Sequence, residues 1–142
     1  MSEALEQAKI AFKCDEVPVG CVIVKNNKII VKSYNMMKSI NNPTAHAEII
    51  AIQLMQYDYL SDCDMYVTLE PCHMCAAAIS LAKIRRLYIG ALDTKAGGIY
   101  HNAKLFYQKL NCIPEHYNGF FESECSELLK QFFVNKRRKA IL

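Results

Sequence analysis

The sequence lacks the features of membrane proteins and secreted proteins. It has no apolar run long enough to cross a bilayer, and its acidic N-terminal stretch lacks the charge pattern of a signal peptide. Internal repeats and low-complexity segments are also absent. We therefore expect a cytoplasmic protein of bacterial type.

The sequence also has no large excess of positive or negative charge. The formal net charge is only +3, which by itself indicates no class of partner. The content of hydrophobic residues, 52%, and of charged residues, 22%, is typical of a globular protein. Because 142 residues can enclose one sizeable core, we expect residues 1–142 to form a single domain.

The cysteines do not indicate a disulfide framework. There are seven of them, an odd number, and no secretion signal accompanies them. Only Cys72 and Cys75 have the spacing of metal ligands. We interpret the other five as small buried hydrophobic residues or incidental thiols.

Helical and strand periodicities alternate along the chain. Helices are predicted at 2–14, 45–56, 72–83 and 103–110, and from 123 onward. Strands are predicted at 17–24, 28–34, 65–69, 87–91 and around 116–120, with a turn at Asn26–Asn27 and a connector at 57–64. This alternation predicts an α/β sandwich with helices on both faces of a sheet.

Two short stretches carry the chemistry. Pro71 suits the first turn of a helix, so Cys72 and Cys75 should share one helix face near a positively polarised N-terminus that favours thiolates. Upstream, His46 and Glu48 should lie in the first turn of another helix. Together these residues spell His-x-Glu followed by Pro-Cys-x-x-Cys.

His46, Cys72 and Cys75 offer the imidazole and thiolate ligands of a catalytic zinc ion, with the fourth position left to water. The mixed nitrogen and sulfur donors favour zinc over other divalent ions. His73 should point elsewhere, because adjacent helix positions diverge. We interpret Glu48 as the general acid and base that moves a proton from the water to a substrate nitrogen. Such a site suits attack on an amidine-like carbon followed by loss of ammonia.

Each part of this motif has a simpler interpretation when it is taken alone. A Cys-x-x-Cys pair can be half of a structural zinc site or a redox pair, and a histidine or acid at a helix start often only packs or favours the helix dipole. A structural site needs four protein ligands, however, and only three are evident. Glu70 keeps the simpler interpretation and receives no catalytic role. The whole motif therefore predicts a catalytic zinc site.

His-x-Glu followed by Pro-Cys-x-x-Cys resembles the known signature of the zinc-dependent nucleobase deaminases. Three segments, together with Asn35 and the C-terminal Phe-Phe and basic residues, more specifically resemble the bacterial tRNA adenosine deaminases of the cytidine and deoxycytidylate deaminase superfamily. These segments are residues 16–20 (Glu-Val-Pro-Val-Gly), 43–48 (Pro-Thr-Ala-His-Ala-Glu) and 67–75. The resemblance runs from the first predicted helix to the last.

The resemblance implies a zinc-dependent hydrolase that converts adenosine to inosine at the wobble position of tRNA, an RNA-editing step of tRNA processing. It implies a cytidine-deaminase-like fold, which is a three-layer α/β/α sandwich with a central five-stranded mixed sheet. It also implies one Zn²⁺ per subunit and a homodimer that binds the tRNA anticodon loop.

The resemblance further implies roles for substrate-binding residues. Asn35 would hydrogen-bond the target nucleoside, while Val17, Leu69 and the backbone at Ala47 would line the base pocket.

Asp93 and Lys95 would meet the anticodon loop, although their own loop departs from the family pattern between residues 96 and 100. Phe133 and Arg137 would contact neighbouring nucleotides. Without the resemblance, a solvated helix end explains the basic run at 136–139 better than nucleic-acid contact does.

Two other functions stay open at this point. One is a zinc deaminase of a free base such as guanine or cytosine, which would not need Asn35, Asp93, Lys95 or the basic C-terminus. The other is a non-catalytic, zinc-containing RNA-binding subunit, which would be expected to have lost Glu48.

Overall fold

The computed structural model describes residues 1–56 and 59–141, so the predicted connector's first residues, Tyr57 and Asp58, and the final Leu142 lie outside the described residues. The described residues form the helices α1 (Ser2–Lys13), α2 (Ala47–Leu54), α3 (His73–Leu81) and α4 (Glu122–Ile141). Their strands are β1 (Gly20–Lys25), β2 (Lys28–Tyr34), β3 (Cys63–Leu69), β4 (Arg86–Ala91) and β5 (Glu115–Tyr117). None of these four helices is both long and apolar enough to cross a membrane.

The strands form one mixed sheet in the order β2-β1-β3-β4-β5. Strand β1 runs antiparallel to both β2 and β3, whereas β3, β4 and β5 are mutually parallel. The hairpin between β1 and β2 turns at Asn26 and Asn27, whose φ values of 49° and 59° suit the tight two-residue turn predicted there. The predicted five-stranded mixed sheet is therefore confirmed.

The helices pack as two pairs, α1 with α4 and α2 with α3. The larger core lies between the sheet and the α2–α3 pair, where Ile23, Ala51 and Ile79 are fully buried. A smaller cluster that includes Leu5 and Cys125 joins α1 and α4 to the sheet. This arrangement confirms the predicted three-layer α/β/α sandwich.

A glycine in β1 lets α1 lie close to the sheet. A Cβ atom at Gly20 would collide with the backbone of α1 at Ala4 and Ala8, both of which are fully buried. A larger residue at this position would push the helix away from the strand. The close approach also fixes the chain that runs from α1 to β1, which forms one side of the cavity described below.

Two of the differences between the predicted and the observed elements have a clear physical cause. The helix predicted at 103–110 is wrong, because only Leu105–Tyr107 forms a single 3₁₀ turn. Asn102 and Lys104 before it have φ values of 50° and 46°, which an α-helix cannot contain. The strand predicted from residue 17 begins only at Gly20, since Pro18 has no N–H to donate to a sheet.

Candidate metal centre and active site

The adjacent helices α2 and α3 begin at the candidate metal ligands. His46 is the N-cap residue of α2, and Cys72 is the N-cap residue of α3, so both helices start later than the predicted residues 45 and 72. Cys75 lies in the first turn of α3. The Nδ1 atom of His46 is 3.6 Å from the Sγ atom of Cys72 and 3.5 Å from the Sγ atom of Cys75. The structure thus brings the three residues together.

The spacing of these three atoms fits a tetrahedral zinc ion. Zinc–sulfur bonds of about 2.3 Å and zinc–nitrogen bonds of about 2.05 Å at a tetrahedral angle place the two donors about 3.6 Å apart. The observed nitrogen–sulfur distances agree with that value, and all three donors lie within 4.8 Å of one another. In the described ranges, no other group of three such residues meets the same criterion. Three protein donors leave one coordination position for water, as in catalytic zinc sites.

The two thiols have opposite electrostatic environments. Hydrogen bonds from Cys75 and His46 lower the pKa of the Cys72 thiol to about 4, although partial burial opposes this. The pKa of Cys75 is raised, because its thiol is hydrogen-bonded to Cys72 and is buried. These contacts favour the thiolate form of Cys72, the form that binds a metal. Its place at the positive end of α3 favours the same form.

His73 points away from the metal centre, as predicted. Its Nε2 atom accepts a hydrogen bond of 3.4 Å from the backbone N–H of Ala103, in the loop after β4. The side chain is exposed. The imidazole between the two cysteines therefore takes no part in the three-residue group.

A cavity of about 150 Å³ opens beside the metal centre. Glu48 lines it and is only 3% exposed. Burial raises the pKa of the Glu48 carboxyl group to about 7, which suits a group that both accepts and donates protons near neutral pH. The other lining residues are Val17, Val19, Asn35, Met37, His46, Leu69, Glu70, Cys72, Asp93 and Ala96.

The cavity contains four of the eight residues for which the resemblance implies substrate binding, namely Val17, Asn35, Leu69 and Asp93. Ala47 is fully buried in α2 between His46 and Glu48. The remaining three lie outside the lining of this cavity. They are Lys95, which is exposed two residues from Asp93, and Phe133 and Arg137, which are exposed on α4.

A second groove of about 380 Å³ extends from the cavity towards α4. It shares Val17, Asn35 and Met37 with the cavity, and both Phe132 and Phe133 line it. Phe133 is 46% exposed, whereas Phe132 is only 5% exposed and packs edge-to-face on an aromatic ring of α1. Of this aromatic pair, Phe133 thus offers more surface to a ligand.

Sequence reasoning missed two buried carboxylates on either side of the cavity. Glu16, 1% exposed, accepts hydrogen bonds from the side-chain amide of Asn35 at 3.4 Å and from the backbone N–H of Ser39 at 2.6 Å. Glu70, 3% exposed, accepts hydrogen bonds from the loop after β4. Their partners lie 19 to 31 residues away along the chain, so no local spacing could have identified them.

Comparison with known proteins identifies the family. Residues 1–91 match the sequence profile of the cytidine and deoxycytidylate deaminase zinc-binding region. The tRNA-specific adenosine deaminase of Rickettsia bellii is 50% identical to this chain, and the alignment covers 96% of this chain and 99% of that protein. The protein of the same name from Bacillus subtilis is 37% identical, with 98% and 89% covered. This chain belongs to the same deaminase family. It is therefore a zinc-dependent hydrolase with one zinc ion per subunit, as the sequence predicted.

Solved structures of other deaminases have the same architecture. One comes from a study of A-to-I editing by tRNA:A34 deaminases at the wobble position of transfer RNA. It is 46% identical, has a TM-score of 0.87 and covers 91% of this chain and 97% of its own. A guanine deaminase from Nitrosomonas europaea has a TM-score of 0.76 at 19% identity, with 92% of this chain and 81% of its own covered, and it supports the fold alone.

Proposed function

We propose that this deaminase converts adenosine to inosine by hydrolysis at the wobble position of tRNA. The observation that carries the proposal is the cavity in which His46 and Cys72 meet the buried carboxyl group of Glu48. The choice of RNA substrate is supported by relatives named tRNA-specific adenosine deaminases over nearly their whole length. It is also supported by likeness to a structure from a study of wobble-position editing.

The reaction replaces the amino group at C6 of adenine with oxygen from water and releases ammonia. His46, Cys72 and Cys75 would hold the zinc ion, which would supply an activated water as the nucleophile. Glu48 accepts a proton from the attacking water and delivers it to N1 of the purine ring. Glu48 then passes the proton of the new C6 hydroxyl group to the amine, so the C6–N bond breaks, ammonia leaves and a C6=O carbonyl remains. Glu48 is only 3% exposed, so the carboxyl group faces the cavity with little contact with bulk solvent.

We propose that the cavity binds one extruded adenine base. Its side walls are the apolar residues Val17 and Leu69, which would pack on the base, and the amide of Asn35, which would hydrogen-bond the nucleoside. The backbone at Ala47, between His46 and Glu48, completes the proposed contacts. Bases of an anticodon loop are already unpaired, so inserting one costs less free energy than extruding a base from a duplex.

A side-by-side deamination assay tests this function. Purified protein is given an anticodon stem-loop with adenosine at the wobble position and, separately, free adenosine, cytosine and guanine. We expect inosine in the stem-loop and no ammonia from the free compounds. Turnover of a free base alone would instead assign the chain to nucleobase salvage. Zinc binding without turnover of any of them would indicate a non-catalytic RNA-binding subunit.

We propose that Asp93, Lys95, Phe133 and Arg137 contact the RNA around the inserted base. The carboxylate of Asp93 accepts the backbone N–H groups of Lys95 at 2.9 Å and of Ala96 at 3.0 Å, so it shapes the loop that carries the lysine. Phe133 lines the groove that continues from the cavity, where an adjacent base could stack on it. Arg137 is exposed one turn further along α4.

The two adjacent phenylalanines provide a matched test of these contacts. Phe133→Ala should raise KM for the stem-loop about five-fold or more, because one stacking contact is worth roughly 1–3 kcal/mol. It should leave the melting temperature nearly unchanged, since the ring is 46% exposed. Phe132→Ala should instead lower the melting temperature, because that ring is packed against α1. An unchanged KM for Phe133→Ala would remove this residue from the proposed interface.

We further propose that residues 1–142 form a single zinc-dependent deaminase domain that acts in the cytoplasm as a homodimer. Leu54 and Leu81, near the C-terminal ends of α2 and α3, are 56% and 68% exposed, which leaves apolar surface for a second copy. Sedimentation equilibrium at micromolar concentration measures the assembly. A species of 16.2 kDa alone would contradict the dimer.

A further inference from the structure

A buried carboxylate holds the loop that follows β4. The side chain of Glu70 has no exposed area, and it lies between the end of β3 and the start of α3. Its Oε2 atom accepts the backbone N–H of Asp93 at 3.0 Å, at the start of the loop. Its Oε1 atom accepts the N–H groups of three successive residues at the other end of the loop, Ile99, Tyr100 and His101, at 3.1, 2.8 and 3.2 Å.

These hydrogen bonds take the place of regular secondary structure. Residues 92–104 contain no helix or strand, so their N–H groups need other acceptors. A single carboxylate accepts four of them and also contacts the Nδ1 atom of His101 at 2.8 Å. The loop is thereby attached at both ends to the residue that precedes Pro71 and the metal-binding cysteines.

The middle of the loop lies directly on the start of α3. A Cβ atom at Gly97 would collide with the carboxyl group of Glu70, and one at Gly98 would come within 2.9 Å of the backbone of Cys72. The N–H of Gly98 donates to the carbonyl oxygen of Pro71 at 2.8 Å. The two glycines therefore allow a close approach that Glu70 then holds in place.

This loop forms one wall of the cavity, because Asp93 and Ala96 both line it. We propose that Glu70 is a positioning residue for substrate binding. It fixes the loop at Asp93 and at residues 99–101, so that the wall between these points is already ordered when the nucleotide enters. The inference rests on the proposed function for its effect on editing, whereas the ordering of the loop does not depend on it.

The variant Glu70→Gln separates the two ends of the loop. A glutamine oxygen can still accept the N–H groups at 99–101, but its NH₂ group cannot accept the N–H of Asp93. We expect amide hydrogen exchange at Asp93 to rise ten-fold or more, because a hydrogen bond to a charged acceptor is lost. With the stem-loop, KM should rise about ten-fold while kcat stays within about two-fold and zinc content is unchanged.

Asp64→Asn is the matched control. Asp64 is a buried carboxylate on β3, the strand that ends just before Glu70, and it is bound to Arg85 through two hydrogen bonds of 2.8 and 2.9 Å. It lies six residues from Glu70, roughly 20 Å along an extended strand, so it does not touch the cavity. We expect this variant to lose thermal stability and to keep the wild-type KM, kcat and exchange at Asp93.

If Glu70→Gln does not fold, a second variant can still test the proposal. His101→Ala leaves the carboxylate in place and removes the imidazole that contacts its Oε2 atom, the acceptor of the Asp93 N–H, so exchange at Asp93 and KM should both rise, by a smaller factor than in Glu70→Gln. Wild-type exchange in the loop together with wild-type KM in whichever variants fold would overturn the proposal. A parallel loss of kcat in Glu70→Gln and Asp64→Asn would also overturn it. Failure of the wild-type protein to edit the stem-loop would refute the proposed function, and loop exchange would still decide the role of Glu70.

Discussion

Replacing Glu48 with glutamine should reduce turnover of the stem-loop by roughly 10²–10⁴-fold, the contribution typical of a positioned general acid and base. Glutamine has the same shape as glutamate but cannot accept a proton from water or return it to the purine nitrogen. The buried position of Glu48 makes this loss hard to bypass, since bulk water cannot easily replace the carboxyl group. Single-turnover kinetics on the stem-loop measure the chemical step directly.

Zinc content and stability separate this chemical loss from a structural one. Glu48 is not one of the three grouped donors, so Glu48→Gln should bind one zinc ion per chain and melt within a few degrees of the wild type. It should also bind the stem-loop with nearly the wild-type Kd, because base and RNA contacts are intact. Full activity in this variant would remove Glu48 from the role of proton carrier. Asp64→Asn again serves as the control for converting a buried carboxylate to an amide.

The metal centre was predictable because its geometry is local to two helix starts. Cys72 and Cys75 are three positions apart, and a helix brings such positions onto one face whatever the rest of the fold. His46 and Glu48 are two apart, which in the structure places one at the cap of α2 and the other in its first turn. The donors meet because α2 and α3 are neighbours, and that neighbourhood came from the family resemblance rather than from spacing.

The walls of the cavity were much less predictable. Glu16 and Glu70 are each buried by tertiary contacts with segments far away in sequence. On sequence alone, Glu70 was indistinguishable from an acid that favours a helix dipole, because its partners are backbone N–H groups that no residue type reveals. The helix predicted at 103–110 is wrong for a similar reason, because Lys104 has a left-handed conformation that its residue type does not indicate.

Some of the RNA contacts that the family resemblance implies stay predictions. The structure places Arg137 on an exposed face of α4, outside the lining of the cavity and of the groove. Nearby, Lys136 forms an ion pair with Asp15 and also lies over the ring of Phe132. Part of the basic C-terminal run therefore stabilises the contact of α4 with the end of α1. The rest is available for phosphate groups, as the proposed RNA interface requires.

Replacing Cys75 with alanine should abolish stoichiometric zinc binding and lower the melting temperature by about 10 °C. The zinc ion joins the starts of α2 and α3, so the free energy of metal binding contributes to folding. Removing a buried metal ligand should cost several kcal/mol, and each kcal/mol lowers the melting temperature of a domain of this size by roughly 2–8 °C. The fold itself should survive, because the core between the sheet and the α2–α3 pair does not depend on the ion.

Adding a chelator tests whether the lower melting temperature of Cys75→Ala comes from the loss of zinc. It should lower the melting temperature of the wild type to nearly that of Cys75→Ala and should have little effect on the variant, because the variant has no bound metal to lose. Cys125→Ala is the control, since this thiol is also buried, at 2% exposure, but lies in the cluster between α4 and the sheet. It should keep full zinc content and the full response to chelator. Normal zinc stoichiometry in both Cys72→Ala and Cys75→Ala would refute the metal centre, and the activated water on which the proposed reaction depends would then need another source.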